Sequence, residues 1–185
     1  DECLALIRKY EGVTLSPYTL PYTDPKAIQI IRDGKEMGLF QLESLGMKRA
    51  IKEVQPTSFE DVAALLALFR PGPMDSIPSY ARRKAGLEKI TYLSKELEPI
   101  LKDTYGIIVY QEQIMQIVRE MAGFSFGQAD LFRRAISKKN VDKLESLKGS
   151  FIQGCIQNGK DEALARKVYD LILRFANYGF NKSHA

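Results

Sequence analysis

The chain has 185 residues, 45% hydrophobic and 27% charged, with a net charge of +4. That is long enough to bury one real core, and the balance excludes a disordered or low-complexity chain. No apolar run reaches the roughly 18 residues a bilayer span needs, and Asp1 to Tyr10 lacks the basic-then-apolar layout of a secretory leader, so a soluble cytoplasmic protein with no membrane contact is expected.

In chain order, Thr23-Asp24-Pro25 predicts a helix start, with proline at the first helical position, Ile28 and Ile31 on one face and Gly34 as the stop. Gly38 to Leu42 reads as a short extended or turn segment. Met47, Ile51 and Val54 recur at helical spacing, and Thr57 with Glu60 forms the pattern of a capping box opening an apolar helix from Phe59 to Phe69. Arg70-Pro71-Gly72-Pro73 must end it, because proline removes a donor and restricts the residue before it. Ser94 reads as the cap of a short helix holding Leu97, Ile100 and Leu101.

Tyr105 to Tyr110 is the best strand candidate, rich in β-branched and aromatic residues, with an extended lead-in as the other reading. Gln111 to Ala122 then puts Ile114, Ile117, Val118 and Met121 on one helical face and stops at Gly123. Ser125 with Gln128 caps the next helix. Val141, Leu144, Leu147, Phe151 and Cys155 mark a helix ending near Gly159, and Leu164, Val168, Leu171, Ile172 and Phe175 mark a last one. A mainly α fold with one or two short extended segments is expected, with no internal repeat. The closing run Tyr178-Gly-Phe-Asn-Lys-Ser-His-Ala185 is dense in groups that bind ligands, and its abrupt end suggests a truncated piece of something longer.

Chemistry-bearing residues are few. Cys3 and Cys155 are too few for a disulfide framework or a Cys-rich zinc site and are expected as reduced thiols. There is no Asp-x-Asp pair, no histidine cluster, no P-loop and no Gly-x-Gly-x-x-Gly, so these residues alone are not expected to catalyse a reaction or to bind a metal. Glu43, Glu112 and Asp130 stand isolated and suit helix caps or surface ion pairs better than paired acid and base.

The basic residues are distributed more tellingly than their total of 27 against 23 acids suggests. Leu131-Phe-Arg-Arg-Ala-Ile-Ser-Lys-Lys139 holds Arg133, Arg134, Lys138 and Lys139 with no acid among them. Guanidinium forks match phosphate bidentately and lysines add mobile point charge, so such a helix suits a triphosphate or a sugar-phosphate backbone. The competing reading is a solvated basic face partly paired by Asp130. Arg82-Arg83-Lys84 is a second cluster, a candidate for duplex contact or ordinary surface charge. Asn181, Lys182, Ser183 and His184, beside Tyr178 and Phe180, offer stacking and hydrogen bonding to a nucleotide, or a frayed and solvated end.

Five strings then occur in order. They are Gly38-Leu-Phe-Gln-Leu-Glu-Ser44, Ala67-Leu-Phe-Arg-Pro-Gly-Pro73, Tyr105-Gly-Ile-Ile-Val-Tyr-Gln-Glu-Gln-Ile-Met115, Ala129-Asp-Leu-Phe-Arg-Arg-Ala135 with Lys138-Lys139, and Tyr178-Gly-Phe-Asn-Lys-Ser-His184. Together they resemble the bacterial C-family DNA polymerases, of the polymerase III alpha type, in their fingers region. The Asn-Lys-Ser-His run resembles the replicative members rather than the error-prone ones. Ile136-Ser137 departs from the Met-Gly that many relatives carry before the paired lysines.

The resemblance implies a helical fingers domain at 34–185, truncated at its C-terminal end, preceded by a link from the palm at 1–33. It implies that Arg133 and Arg134 grip the triphosphate of an incoming dNTP, with Lys138 and Lys139 supporting them. Asn181, Ser183 and His184 would lie against its sugar and base, and Arg70, Tyr178 and Phe180 would shape the pocket wall. Arg82, Arg83 and Lys84 would meet primer-template DNA. The catalytic aspartates and Mg²⁺ belong in such enzymes to a palm absent here. Partners such as the sliding clamp and the proofreading exonuclease would bind through regions outside this chain. A free-standing helical nucleic-acid module and an interaction scaffold with basic faces are the other readings of the same residues.

Overall fold

Several helix starts lie where a side-chain oxygen meets backbone amides that have no partner within the helix. In the computed structural model, which describes residues 2–35, 37–137, 141–176 and 178–185, ten α-helices lie among the described residues. They are α1 (Glu2–Glu11), α2 (Pro25–Arg32), α3 (Leu45–Val54), α4 (Phe59–Leu68), α5 (Ile77–Lys84), α6 (Glu98–Leu101), α7 (Gln111–Ala122), α8 (Phe126–Ser137), α9 (Val141–Gln157) and α10 (Glu162–Ala176). The mainly α expectation holds.

Asp24 caps α2 by accepting from the Lys26 and Ala27 amides at 2.8 and 3.3 Å. Ser125 and Gln128 cap α8 reciprocally, at 3.3 and 2.8 Å, as their spacing predicts. The α4 cap is displaced by one residue from Thr57 and Glu60. Ser58 Oγ accepts from the Asp61 amide at 3.1 Å, and the Asp61 carboxylate accepts from the Thr57 amide at 2.8 Å. Adjacent hydroxyl residues leave the choice to tertiary packing, and Asp61 is drawn inward by Tyr80 and Tyr105, whose hydroxyls donate to its Oδ1 at 3.1 and 3.3 Å. After Ser94 the chain forms a 3₁₀ turn at Lys95–Leu97, then the one-turn α6 and a second 3₁₀ turn at Lys102–Thr104. The Ser94 side chain makes no capping bond.

Two clusters of buried side chains form the interior. The first joins α2 to α5, with Met47, Ile51, Leu65, Leu68 and Tyr80 nearly closed to solvent. The second joins α6 to α10, where Phe132, Phe151 and Tyr169 meet with ring centroids 5.9 to 6.3 Å apart. Burying each such side chain stabilises the fold by about 1.5–3 kcal/mol.

The segment following Tyr105 runs between the clusters. Ile107 and Val109 face the first and Ile108 the second, the alternation of an extended chain. The strand expected at Tyr105–Tyr110 is therefore an extended strap: Tyr105 and Gly106 form a turn, and the pairing among the described residues is one parallel bridge between Tyr110 and Phe180. Its polar backbone is satisfied from the side. Buried Gln113 accepts from the amides of Val109 and Tyr110 at 2.8 and 2.9 Å, and donates to the Thr104 hydroxyl at 2.8 Å and the Ile100 carbonyl at 3.2 Å.

Candidate functional site

Helix α8 buries Ala129 and Phe132 against the second cluster. That turns Asp130, Arg133 and Arg134 away from the core, because residues three and four apart share a face. The Asp130 carboxylate holds both arginines. Oδ1 accepts from Arg133 Nε and Nη2 at 3.1 and 2.7 Å, and Oδ2 lies 2.7 Å from Arg134 Nη2. The hydrogen bond from Arg133, followed by that from Arg134, holds this carboxyl below the usual aspartate range. Arg133 is half-buried, whereas 64% of the Arg134 side chain is open to solvent. The pairing foreseen as the bland reading of the stripe thus exists, on the face that carries the cations. Lys138 and Lys139 lie outside the described residues.

The segment from Tyr178 to Ala185 docks rather than frays. Phe180 donates its amide to Val109 O at 3.0 Å, and its carbonyl accepts from the Gln111 amide at 2.8 Å, which extends the strap by one bridge. The Lys182 amide donates to both oxygens of Glu112 at 3.2 and 3.1 Å, on the first turn of α7. Glu112 was expected as a cap or surface pair and serves here to anchor the tail.

Arg70, fixed by a 2.9 Å bond from Nε to Ala67 O, donates from Nη2 to the Tyr178 carbonyl at 2.6 Å. Its guanidinium sits 4.5 Å from the centroid of the Phe180 ring, and His184 packs on the same ring at 5.5 Å. Burial lowers the Arg70 pKa from its ordinary value. Gly72 makes room for this docking: with φ at +101°, a Cβ there would stand 2.3 Å from the Tyr178 ring. Asn181, Ser183 and His184 stay exposed on the docked tail.

Gln111 joins the two halves of this site. Its Oε1 accepts from Arg133 Nη1 at 3.0 Å and its Nε2 donates to Gly179 O at 3.0 Å. The arginine helix and the tail therefore meet at the N-terminus of α7. Gln111, Glu112 and Asp130 are the supporting residues that the sequence reading did not place in the site. The Gln-Glu pair directly after the strap was the available signal.

The cluster at 82–84 is split by its internal partners. Arg83 donates to Glu88 at 2.7 Å and to the Tyr105 carbonyl at 3.1 Å. Lys84, 12% exposed, points to Thr57 Oγ1 at 3.0 Å and to Asp61 at 3.5 Å. Arg82 also pairs with Glu88, at 2.9 Å, but remains 52% exposed. Beside Arg83, a cleft of about 450 Å³ opens between the clusters, bordered by Ser76, Ser79, Arg174 and Tyr178. Among the described residues no group of three or more His, Cys, Asp or Glu side chains gathers as metal ligands, and no helix is long and apolar enough to cross a membrane.

The fold and site define a mainly helical module in which a basic helix and a docked polar tail converge on the start of one central helix. This chain belongs to the family described as the bacterial DNA polymerase III alpha subunit finger domain, whose model matches residues 1–159. The match takes in residues 1–33 and stops before α10 and the tail. DNA polymerase III subunit alpha of Halalkalibacterium halodurans is 51% identical over 179 residues, which is 97% of this chain and 16% of the relative. The same subunit of Staphylococcus aureus strain COL is 46% identical over 184 residues, covering 100% of this chain, tail included, and 17% of the relative. The chain thus spans about a sixth of the length of these curated relatives.

Proposed function

We propose that this chain is the nucleotide-positioning fingers part of a replicative DNA-directed DNA polymerase, acting with a palm in the same subunit. Arg133 and Arg134 would bind the triphosphate of the incoming dNTP and offset charge as pyrophosphate departs, with Lys138 and Lys139 in support. Asn181, Ser183 and His184 would meet its sugar and base, on a wall built by Arg70, Tyr178 and Phe180. Helix α8 supplies the fork-shaped cations that phosphate recognition needs, in a site whose donors are held before the ligand arrives. The observation that carries this reading is the hydrogen-bonded link from Arg133 through Gln111 to Gly179, which sets the basic helix beside the polar tail.

In this reading primer-template DNA approaches Arg82, the most exposed member of its cluster, while Arg83 and Lys84 hold the helix that presents it. The palm aspartates and their Mg²⁺ lie outside this chain, which is inactive alone. The sliding clamp and proofreading exonuclease are partners of other regions, and the cytoplasm is the site of action.

The test is primer extension by the full-length subunit carrying Arg133→Ala and Arg134→Ala, with apparent dNTP KM followed separately from primer-template affinity at fixed salt. Losing charge-assisted hydrogen bonds worth about 1.5–3 kcal/mol raises KM roughly tenfold or more while DNA affinity is kept. Unchanged dNTP KM refutes the assignment. Loss of DNA affinity, with a salt slope flattened by about 0.9 per phosphate contact removed, places the stripe on the duplex backbone instead.

A further inference from the structure

The first residue of α7 is bonded at once to two pieces of the site that are remote in sequence. Gln111 lies 22 residues before Arg133 and 68 before Gly179, and its single amide group engages both at 3.0 Å. Its backbone amide adds the 2.8 Å bond to Phe180 O. The Gln111 amide offers an acceptor and a donor on one rigid plane, whereas a carboxylate accepts only and an ammonium donates only. The tail approaches closely because residue 179 is glycine: a Cβ there would stand 3.1 Å from Gln111 Cγ. On the other side, Asp130 takes Arg133 Nε and Nη2 while Gln111 takes Nη1, so the guanidinium plane is fixed from two directions.

We propose that Gln111 is a positioning residue that sets the register between the triphosphate-binding arginine helix and the tail facing the nucleoside. The inference rests on the dNTP-binding reading above. A nucleotide held by α8 at one end and by the tail at the other is gripped well only when the two are at a fixed separation. Gln111 is the side chain that ties them together.

The experiment compares Gln111→Met, Gln111→Glu and Arg133→Ala in the full-length subunit, alone and with Gln111→Met combined with Arg133→Ala. Methionine keeps the length and apolar packing and removes both hydrogen bonds. It is expected to raise apparent dNTP KM about tenfold, with kcat within about twofold, primer-template affinity unchanged and the thermal midpoint lowered by a few degrees at most. Gln111→Glu places an anion against Arg133 that competes with the triphosphate, and KM is expected to rise further. In the Arg133→Ala background, Gln111→Met is expected to add little, because the two residues act through one link.

Raised KM in Arg133→Ala with unchanged KM in Gln111→Met overturns the inference and leaves the dNTP reading standing. Unchanged KM in both refutes that reading and the inference with it. Fully additive effects, or a Gln111→Met variant that loses thermal stability and kcat without a change in KM, show a structural role only and also overturn it.

Discussion

The strap between the two clusters has two of its backbone amides satisfied by one side chain, and Gln113→Leu is the sharpest way to perturb it. Gln113 is 6% exposed and accepts from two backbone amides, Val109 at 2.8 Å and Tyr110 at 2.9 Å. Leucine fills a similar volume but leaves both donors without that partner inside the protein. An unsatisfied buried donor costs about 1–3 kcal/mol, so the pair costs roughly 2–6 kcal/mol, before the Ile100 carbonyl loses its 3.2 Å bond. Leucine burial offsets about 1–2 kcal/mol, which leaves a net loss of about 3 kcal/mol. In urea unfolding of the 185-residue chain followed by circular dichroism, with a slope of about 2 kcal/mol/M, the midpoint should fall by about 1.5 M. Thr104→Val removes the hydroxyl that accepts from Gln113 at 2.8 Å and donates to Ile107 O at 2.6 Å, and should cost about 1–2 kcal/mol. Combined with Gln113→Leu its effect should be less than additive, because both belong to one network. A Gln113→Leu midpoint within about 0.3 M of the unsubstituted chain would refute the reasoning, since it would mean that the strap finds other partners at little cost.

Gly72→Ala should lower thermal stability by about 1–3 kcal/mol and release the tail, seen as faster amide exchange at Phe180, because φ is +101° and the added carbon meets the Tyr178 ring. Glu96, held chiefly by the hydrogen bond from Lys160, has its pKa lowered from 4.5 to about 2. A depressed carboxyl contributes stability above its unfolded pKa, so this contribution is full above about pH 4.5 and is lost as pH falls toward about 2. Lys160→Met should flatten that part of an acid stability profile and return Glu96 toward 4.5 in a carboxyl NMR titration. Buried Cys155, whose thiol is pushed up to about 11 by desolvation, should resist a thiol reagent at neutral pH, whereas exposed Cys3 reacts; unfolding should expose both.

Helix-period patterns made much of the architecture legible before any contact was known. The buried faces of α3, α7, α9 and α10 follow from residues three and four apart, and the starts of α2 and α8 from caps two or three residues away. These are interactions within one or two turns, and a linear sequence holds both partners of each. The ordered strings around Arg70, Arg133 and Asn181 were legible as well, and with them the family.

What the sequence could not decide lay in choices between chemically equivalent neighbours and in bonds spanning long stretches of chain. Thr57 and Ser58 are both competent caps, and the inward pull of Tyr80 and Tyr105 on Asp61 selected Ser58. Tyr105 to Tyr110 has strand composition, yet a strand needs a partner along its length and among the described residues this one bridges only Phe180. Arg82, Arg83 and Lys84 look alike in sequence, and whether each faces solvent or protein is set by Glu88 and Asp61. The tail could have frayed, but Arg70 reaches it across 108 positions. Local pattern made most of the helices, the cations and the kinship readable, though not α1 or α5; folding settled which cations stay exposed and which residues hold the tail, because those outcomes depend on partners that only it brings within hydrogen-bond distance.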